Sequence, residues 1–132
     1  MALQYSVAVN NARLESVETT IGGTAHLKIY TGAPPANCAA AATGTLLVDM
    51  TLPADYLSAA ASGVKSKLGT WSGTGAAAGT AGYFRITDTA GTATGLQGTA
   101  GMTGTDMTLD NSNIAATQVV TVNTFSLTAA NT

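Results

Sequence analysis

The sequence predicts a mainly β protein. We expect a single β-sandwich or jelly-roll-like domain of about seven to eight short strands, preceded by one N-terminal amphipathic helix. Apolar residues follow a helical spacing only near the N terminus and alternate with a period of two afterwards. Glycine-rich turns separate the alternating segments at intervals typical of sandwiches and barrels. Within this one domain, residues 1–23 form a helical docking segment and residues 24–132 form the β-sandwich.

The helical pattern covers residues 5–21. Its apolar residues recur at spacings of seven, three and four, which places them on one face of a helix. These residues are Val7, Leu14, Val17 and Ile21. Gly22 and Gly23 end the helix, because glycine adopts the left-handed conformation that helix C-termini need. The apolar stripe is narrow and needs a partner surface, either the chain's own sandwich or a neighbouring molecule, so its four residues are candidate interface residues.

The first two strands are predicted on either side of a loop. Residues 25–30 alternate, with Leu27 and Ile29 facing inward. Residues 31–43 contain two adjacent prolines and are predicted to form a loop, since proline interrupts both helices and sheet ladders. At residues 45–52 apolar and polar side chains alternate more clearly than elsewhere in the chain, which predicts the second strand.

The remaining strands are shorter and separated by turns. They are predicted at residues 64–68 with an extension at 70–72, and at 83–87, 94–99, 105–110 and 118–128. The alternation places Lys65, Lys67 and Arg85 on outward faces. In the last strand the apolar phase slips between Val122 and Phe125, which predicts a β-bulge near Asn123.

The composition indicates a surface that other protein covers. Nearly half of the chain is alanine, threonine and glycine, and only 9% of it is charged. Threonine favours strands, and small side chains let backbones approach closely. The 5 Lys and Arg residues are spread along the chain and cannot form a phosphate-binding stripe, which excludes nucleic acid as the main partner.

Membrane insertion and export are not expected either. No apolar run approaches the roughly 20 residues that span a bilayer. The N terminus lacks the basic start, apolar stretch and cleavage site of a signal peptide. We therefore expect synthesis in a cytoplasm without export by the general secretory route.

No constellation of residues predicts catalysis or metal binding. His26 is the only histidine and Cys38 the only cysteine, and neither has a catalytic partner near it in sequence. Oxygen ligands between Asp106 and Asn113 could serve calcium, but the EF-hand spacing is missing and Asx turns explain these residues. The sequence thus predicts no enzyme, no cofactor and no catalytic, cofactor-binding or metal-binding residue.

The large aromatic residues have two interpretations. Tyr30, Trp71 and Tyr83 could present a surface for a partner or a sugar, because aromatic rings give large contact areas at low entropic cost. Ordinary core or cross-strand packing is the alternative. We count the three as candidate interface residues.

Five segments are distinctive: residues 11–15 (NARLE), 18–22 (ETTIG), 27–38 (LKIYTGAPPANC), 106–111 (DMTLDN) and 124–128 (TFSLT). Together they resemble a family of small proteins encoded among the structural genes of tailed bacteriophages and prophages. The resemblance extends over nearly the whole chain. It implies a virion structural protein, made in the host bacterial cytoplasm, and no catalytic residue is carried over.

Within a virion, the expected role is capsid decoration or cement. Such a protein stabilises the head shell by lattice contacts, with copies of itself and the major capsid protein or other virion proteins as partners. A homo-oligomer is expected, with a trimer as one candidate order. The alternatives are a fibre, neck or tail component with a host-binding or carbohydrate-binding role, and a ring-forming component of the tail tube or its terminator.

Overall fold

The structure is a computed structural model and describes residues 3–129. It is mainly β, with 43% strand and 12% helix, and forms a sandwich-like single domain with one N-terminal helix, as the sequence predicts. The helix, α1, covers Val7–Ile21. Within the described residues there are nine strands: β1 His26–Thr31, β2 Leu46–Thr51, β3 Val64–Ser66, β4 Ser72–Thr74, β5 Gly79–Thr87, β6 Thr94–Gly101, β7 Met107–Leu109, β8 Asn113–Ile114 and β9 Val119–Thr128.

The strands form one curled sheet in the order β2-β1-β5-β6-β7-β9-β3, with β4 paired to β9 and β8 paired to β5. Neighbouring strands are antiparallel except β6 and β7, which are parallel. The curl brings β5 and β9 face to face across the core. There the rings of Phe84 and Phe125 meet edge to face, with centroids 5.5 Å apart. This arrangement gives the domain its sandwich-like core.

Helix α1 is defined by a cap at each end. The Ser6 hydroxyl accepts a hydrogen bond from the Val9 amide at 3.2 Å, and the amide of Gly22 donates to the Glu18 carbonyl at 2.8 Å. Gly22 has a φ of 92°, which a glycine adopts without strain. The helix therefore ends where the sequence predicts.

The C-terminal half of α1 packs on the chain's own sheet. Leu14 and Ile21 are buried, and Val17 is partly buried against the core. Ile21 approaches Gly95 of β6 so closely that a Cβ atom at that position would overlap its side chain. Of the two partner surfaces considered for the apolar stripe, the chain's own domain covers these three residues.

The predicted β-bulge in the last strand is present. Met107 pairs with Phe125 and Leu109 pairs with Val122, and the register shifts between Thr108 and Leu109. Asn123 is the additional residue on β9. Because one extra residue reverses the alternation, apolar side chains of both phases point into the core.

Two cations that were predicted to face outward are buried. Lys65 is 1% exposed and Arg85 is 5% exposed. Helix α1 lies over the face of β3 that carries Lys65, while the neighbouring Val64 is exposed. The segment after β1 covers Arg85, whose guanidinium donates to the carbonyl of Ala40 at 2.8 Å. The outward placement was wrong at these two positions because both faces of the sheet are covered there.

The strand boundaries also differ in detail. Strand β5 begins at Gly79, four residues before the predicted start. Strand β4 overlaps the predicted extension at 70–72 only at Ser72, and β8 begins at Asn113, where Asx turns were expected. Their pairing depends on partners far away in the chain, since β4 pairs with β9 and β8 with β5.

Candidate functional site

The first surface of interest is the N-terminal patch, which we define as Leu3, Tyr5, Val7 and Val9. Leu3 is 79% exposed, Val7 58% and Val9 43%. Large apolar side chains within seven consecutive residues thus face solvent, directly before the half of α1 that packs on the sheet. Val7 is the residue of the predicted apolar stripe that remains exposed.

The aromatic interface candidates lie mostly inside the domain. Trp71 is fully buried, and its ring centroid lies 5.6 Å from that of Phe125. Tyr83 is also fully buried and stacks on Tyr30 with ring centroids 4.9 Å apart. Trp71 and Tyr83 therefore contribute to internal packing and are not available to an interface. Tyr30 is half-buried and lines a surface groove.

The polar face of α1 makes contacts that the sequence did not predict. The Glu15 carboxylate accepts from the Ala60 amide and from Lys65 Nζ, and the Glu18 carboxylate accepts from the Leu57 amide at 2.8 Å. The hydrogen bond from the Ala60 amide, followed by the one from Lys65, lowers the pKa of Glu15. These bonds attach the helix to β3 and to the segment between β2 and β3.

The second surface of interest is a groove of about 640 Å³ on the outer face of β1 and β5. We call it the cationic groove and define it by Lys28, Tyr30, Arg85, residues 38–42 and residues 91–94, which line it together with Thr87. Lys28 and Arg85 lie directly opposite each other in the β1–β5 register. This pairing brings together two of the chain's five cations.

Backbone carbonyls position both cations. Lys28 Nζ donates to the Gly91 carbonyl at 2.8 Å, and the Arg85 guanidinium donates to the Ala40 carbonyl at 2.8 Å. Burial raises the pKa of the Tyr30 phenol, and Tyr83 contributes a smaller upward effect. Sequence reasoning missed this groove because the register of β1 against β5 is not visible locally. The alternation that places Leu27 and Ile29 inward puts Lys28 on the opposite face of its strand, and this was the available signal.

The residues weighed for chemistry are found apart from one another. His26 Nδ1 lies 2.8 Å from Asp49 Oδ1, and Cys38 is a free, half-buried thiol. Asp106 accepts from the Thr99 amide at 2.9 Å, which ties the turn before β7 to strand β6. In residues 3–129, no three His, Cys, Asp or Glu side chains come together as a metal site. The absence of catalysis and metal binding stays a prediction.

Comparison with known proteins found no matching family model, no matching curated protein and no matching solved structure. Over residues 3–129, no helix combines the length and the apolar character needed to cross a membrane. The phage resemblance therefore rests on the five sequence segments alone.

Proposed function

We propose that this protein is a structural component of a tailed-phage virion, and specifically a capsid decoration or cement protein. The observation that carries the proposal is the N-terminal patch, since exposed apolar side chains concentrated in one segment are typical of protein interaction sites. The segment resemblance to phage structural proteins supports the same role.

The distribution of charge supports an assembled state. Of the 5 Lys and Arg residues, Lys65 and Arg85 are buried, and Lys28 and Lys67 each donate to a glycine carbonyl. Because two of the five cations are buried, few remain to solvate the surface, which makes the protein suited to burial among neighbours.

In this proposal the N-terminal patch attaches the domain to a neighbouring virion protein. The partners are the major capsid protein and copies of this chain, and a symmetric oligomer repeats the weak contact many times. The localisation is the virion, after synthesis in the host bacterial cytoplasm. The domain itself would contribute contact area and no chemistry.

Incorporation of surface variants into particles tests this proposal. Val7→Asp and Val9→Asp place charges in the N-terminal patch and leave the buried residues of α1 untouched. We expect both to fold, by circular dichroism, and to be missing from purified particles. Met102→Asp is the matched control, because Met102 is 55% exposed in the turn between β6 and β7. Normal incorporation of Val7→Asp and Val9→Asp would remove the N-terminal patch from the attachment surface.

A second candidate function is a fibre, neck or tail component that binds a host surface or a carbohydrate. The cationic groove favours it, because a concave site with a half-buried tyrosine and convergent polar groups is typical of ligand binding. Particle copy number separates the two roles, since fibres and necks are present in far fewer copies than decoration proteins.

A further inference from the structure

The pairing of Lys28 with Arg85 needs an explanation. Like charges directly opposite each other in adjacent strands destabilise a sheet. Asp49 is the register partner of Lys28 on its other side, but the Asp49 carboxylate is hydrogen-bonded to His26. Among the described residues, no carboxylate forms an ion pair with Lys28 or Arg85. The groove therefore holds two cations whose repulsion an anion would relieve.

Both cations keep hydrogen-bond donors that the protein does not use. The Arg85 guanidinium has five N–H groups. It makes four bonds to described residues, to Gln97, Thr94, Asn37 and Ala40. The Lys28 ammonium has three donors and bonds to the Gly91 carbonyl. One N–H of Arg85 and two of Lys28 thus have no acceptor among the described residues.

The walls and the size of the groove restrict the ligand further. The lining includes the small side chains of residues 38–42 and the hydroxyl groups of Thr92 and Thr94. The half-buried Tyr30 ring also lines the groove. A volume of about 640 Å³ exceeds what a single carboxylate needs and lies in the range of small-molecule sites. Hydroxyl groups and an aromatic ring beside paired cations suit a ring-shaped, hydroxylated acid.

We propose that the cationic groove binds an acidic saccharide through its carboxylate. Lys28 and Arg85 contact the carboxylate, because charge-assisted hydrogen bonds are the strongest available at this site. Tyr30 contacts the apolar face of the sugar ring, and the hydroxyls of Thr92 and Thr94 contact its hydroxyl groups. This inference does not depend on the position of the protein in a particle.

Titration with D-glucuronate, followed by NMR chemical shifts or calorimetry at low salt, tests the inference. We expect a Kd of about 1 mM or tighter, with shifts confined to the groove. D-glucose should bind at least about tenfold more weakly, because it lacks the charge. Equal binding of glucose, or no binding of glucuronate, would overturn the proposal.

Variants identify the site. Lys28→Gln should weaken glucuronate binding about tenfold or more. Lys67→Gln is the matched control and should bind normally, because Lys67 also donates to a glycine carbonyl but lies outside the groove. Ala41→Trp fills the groove from an exposed position and should also abolish binding.

The ligand class has its own test. Inorganic phosphate and an acidic peptide are titrated under the same conditions. Weaker binding of both than of glucuronate supports an acidic saccharide. Tighter binding of phosphate or of the peptide would contradict the saccharide assignment, and unchanged glucuronate affinity in both Lys28→Gln and Ala41→Trp would contradict the site.

Discussion

Lys65 Nζ lies 3.0 Å from Glu15 Oε2, and this contact ties helix α1 to strand β3. Lys65 is almost completely buried, while the Glu15 carboxylate remains partly exposed. The ammonium also donates to the Ser58 carbonyl at 2.7 Å and lies 3.9 Å from Glu18 Oε1. The helix is thus held by a hydrogen-bonded cation as well as by the apolar packing of its C-terminal half.

Replacing Lys65 should destabilise the fold. Lys65→Met keeps most of the apolar stem but removes the ammonium that donates to the Ser58 carbonyl and the Glu15 carboxylate, so we expect a loss of about 2–3 kcal/mol in the free energy of unfolding. Urea unfolding measures it. Lys67→Met, at a more exposed lysine with one backbone bond, should change stability by less than about 0.5 kcal/mol. Equal effects of the two variants would show that the buried ammonium does not anchor the helix.

Stability should fall in acid. The folded-state pKa values of Glu15 and Asp88 are lowered, from ordinary values of 4.5 and 3.8, mainly by hydrogen bonds from backbone amides. A lowered pKa stabilises the folded state at pH values above the ordinary pKa, and this stabilisation is lost as the pH falls through the folded-state value. The melting temperature should therefore decrease below about pH 4.5. In Glu15→Gln the decrease should be smaller, and an unchanged pH profile would contradict the role of Glu15.

Removing the hydroxyl of Tyr56 should not destabilise the protein. Tyr56 is fully buried, and its hydroxyl has no hydrogen-bond partner among the described residues. Burial, with a smaller effect of Glu18, raises its pKa to about 12. Tyr56→Phe removes an unsatisfied polar group, so we expect stability to stay equal or rise by up to about 1 kcal/mol.

Tyr83→Phe is the matched control for that variant. Tyr83 is equally buried, but its hydroxyl donates to the Thr43 carbonyl at 2.6 Å and accepts from the Thr43 amide at 3.0 Å. Its loss should therefore lower stability by about 1–2 kcal/mol in the same denaturant assay. A larger loss for Tyr56→Phe than for Tyr83→Phe would contradict this account of the two phenols.

Substitutions at Ile21 and Gly95 should have non-additive effects on the free energy of unfolding. Gly95→Ala inserts a methyl group where the Ile21 side chain lies, and we expect a loss of about 1–3 kcal/mol. In an Ile21→Ala background the added methyl has room, so the cost of Gly95→Ala should shrink or reverse. The double-mutant cycle measures this coupling, and strict additivity would mean that the helix does not press on β6 at Gly95.

The sequence allowed prediction of the features that depend on local periodicity. The fold class, the end of α1 at Gly22 and the bulge at Asn123 all follow from spacing along the chain. Burial of Lys65 and Arg85 could not be predicted locally, because their acceptors belong to segments that only the tertiary fold brings close.

The candidate sites likewise combine features that local periodicity predicts with features that only the tertiary fold determines. The apolar stripe was visible in sequence, but its separation into an exposed Val7 and a buried Leu14 follows only from the tertiary fold. The cationic groove depends on Lys28 and Arg85 being register partners, and that pairing requires the alignment of β1 with β5.

The most direct test of the virion proposal is a quantitative mass-spectrometric count of this protein in purified particles of the phage that encodes it. A decoration protein should be present in a fixed ratio to the major capsid protein, on the order of hundreds of copies per particle. Absence of the protein from purified particles would contradict the proposal.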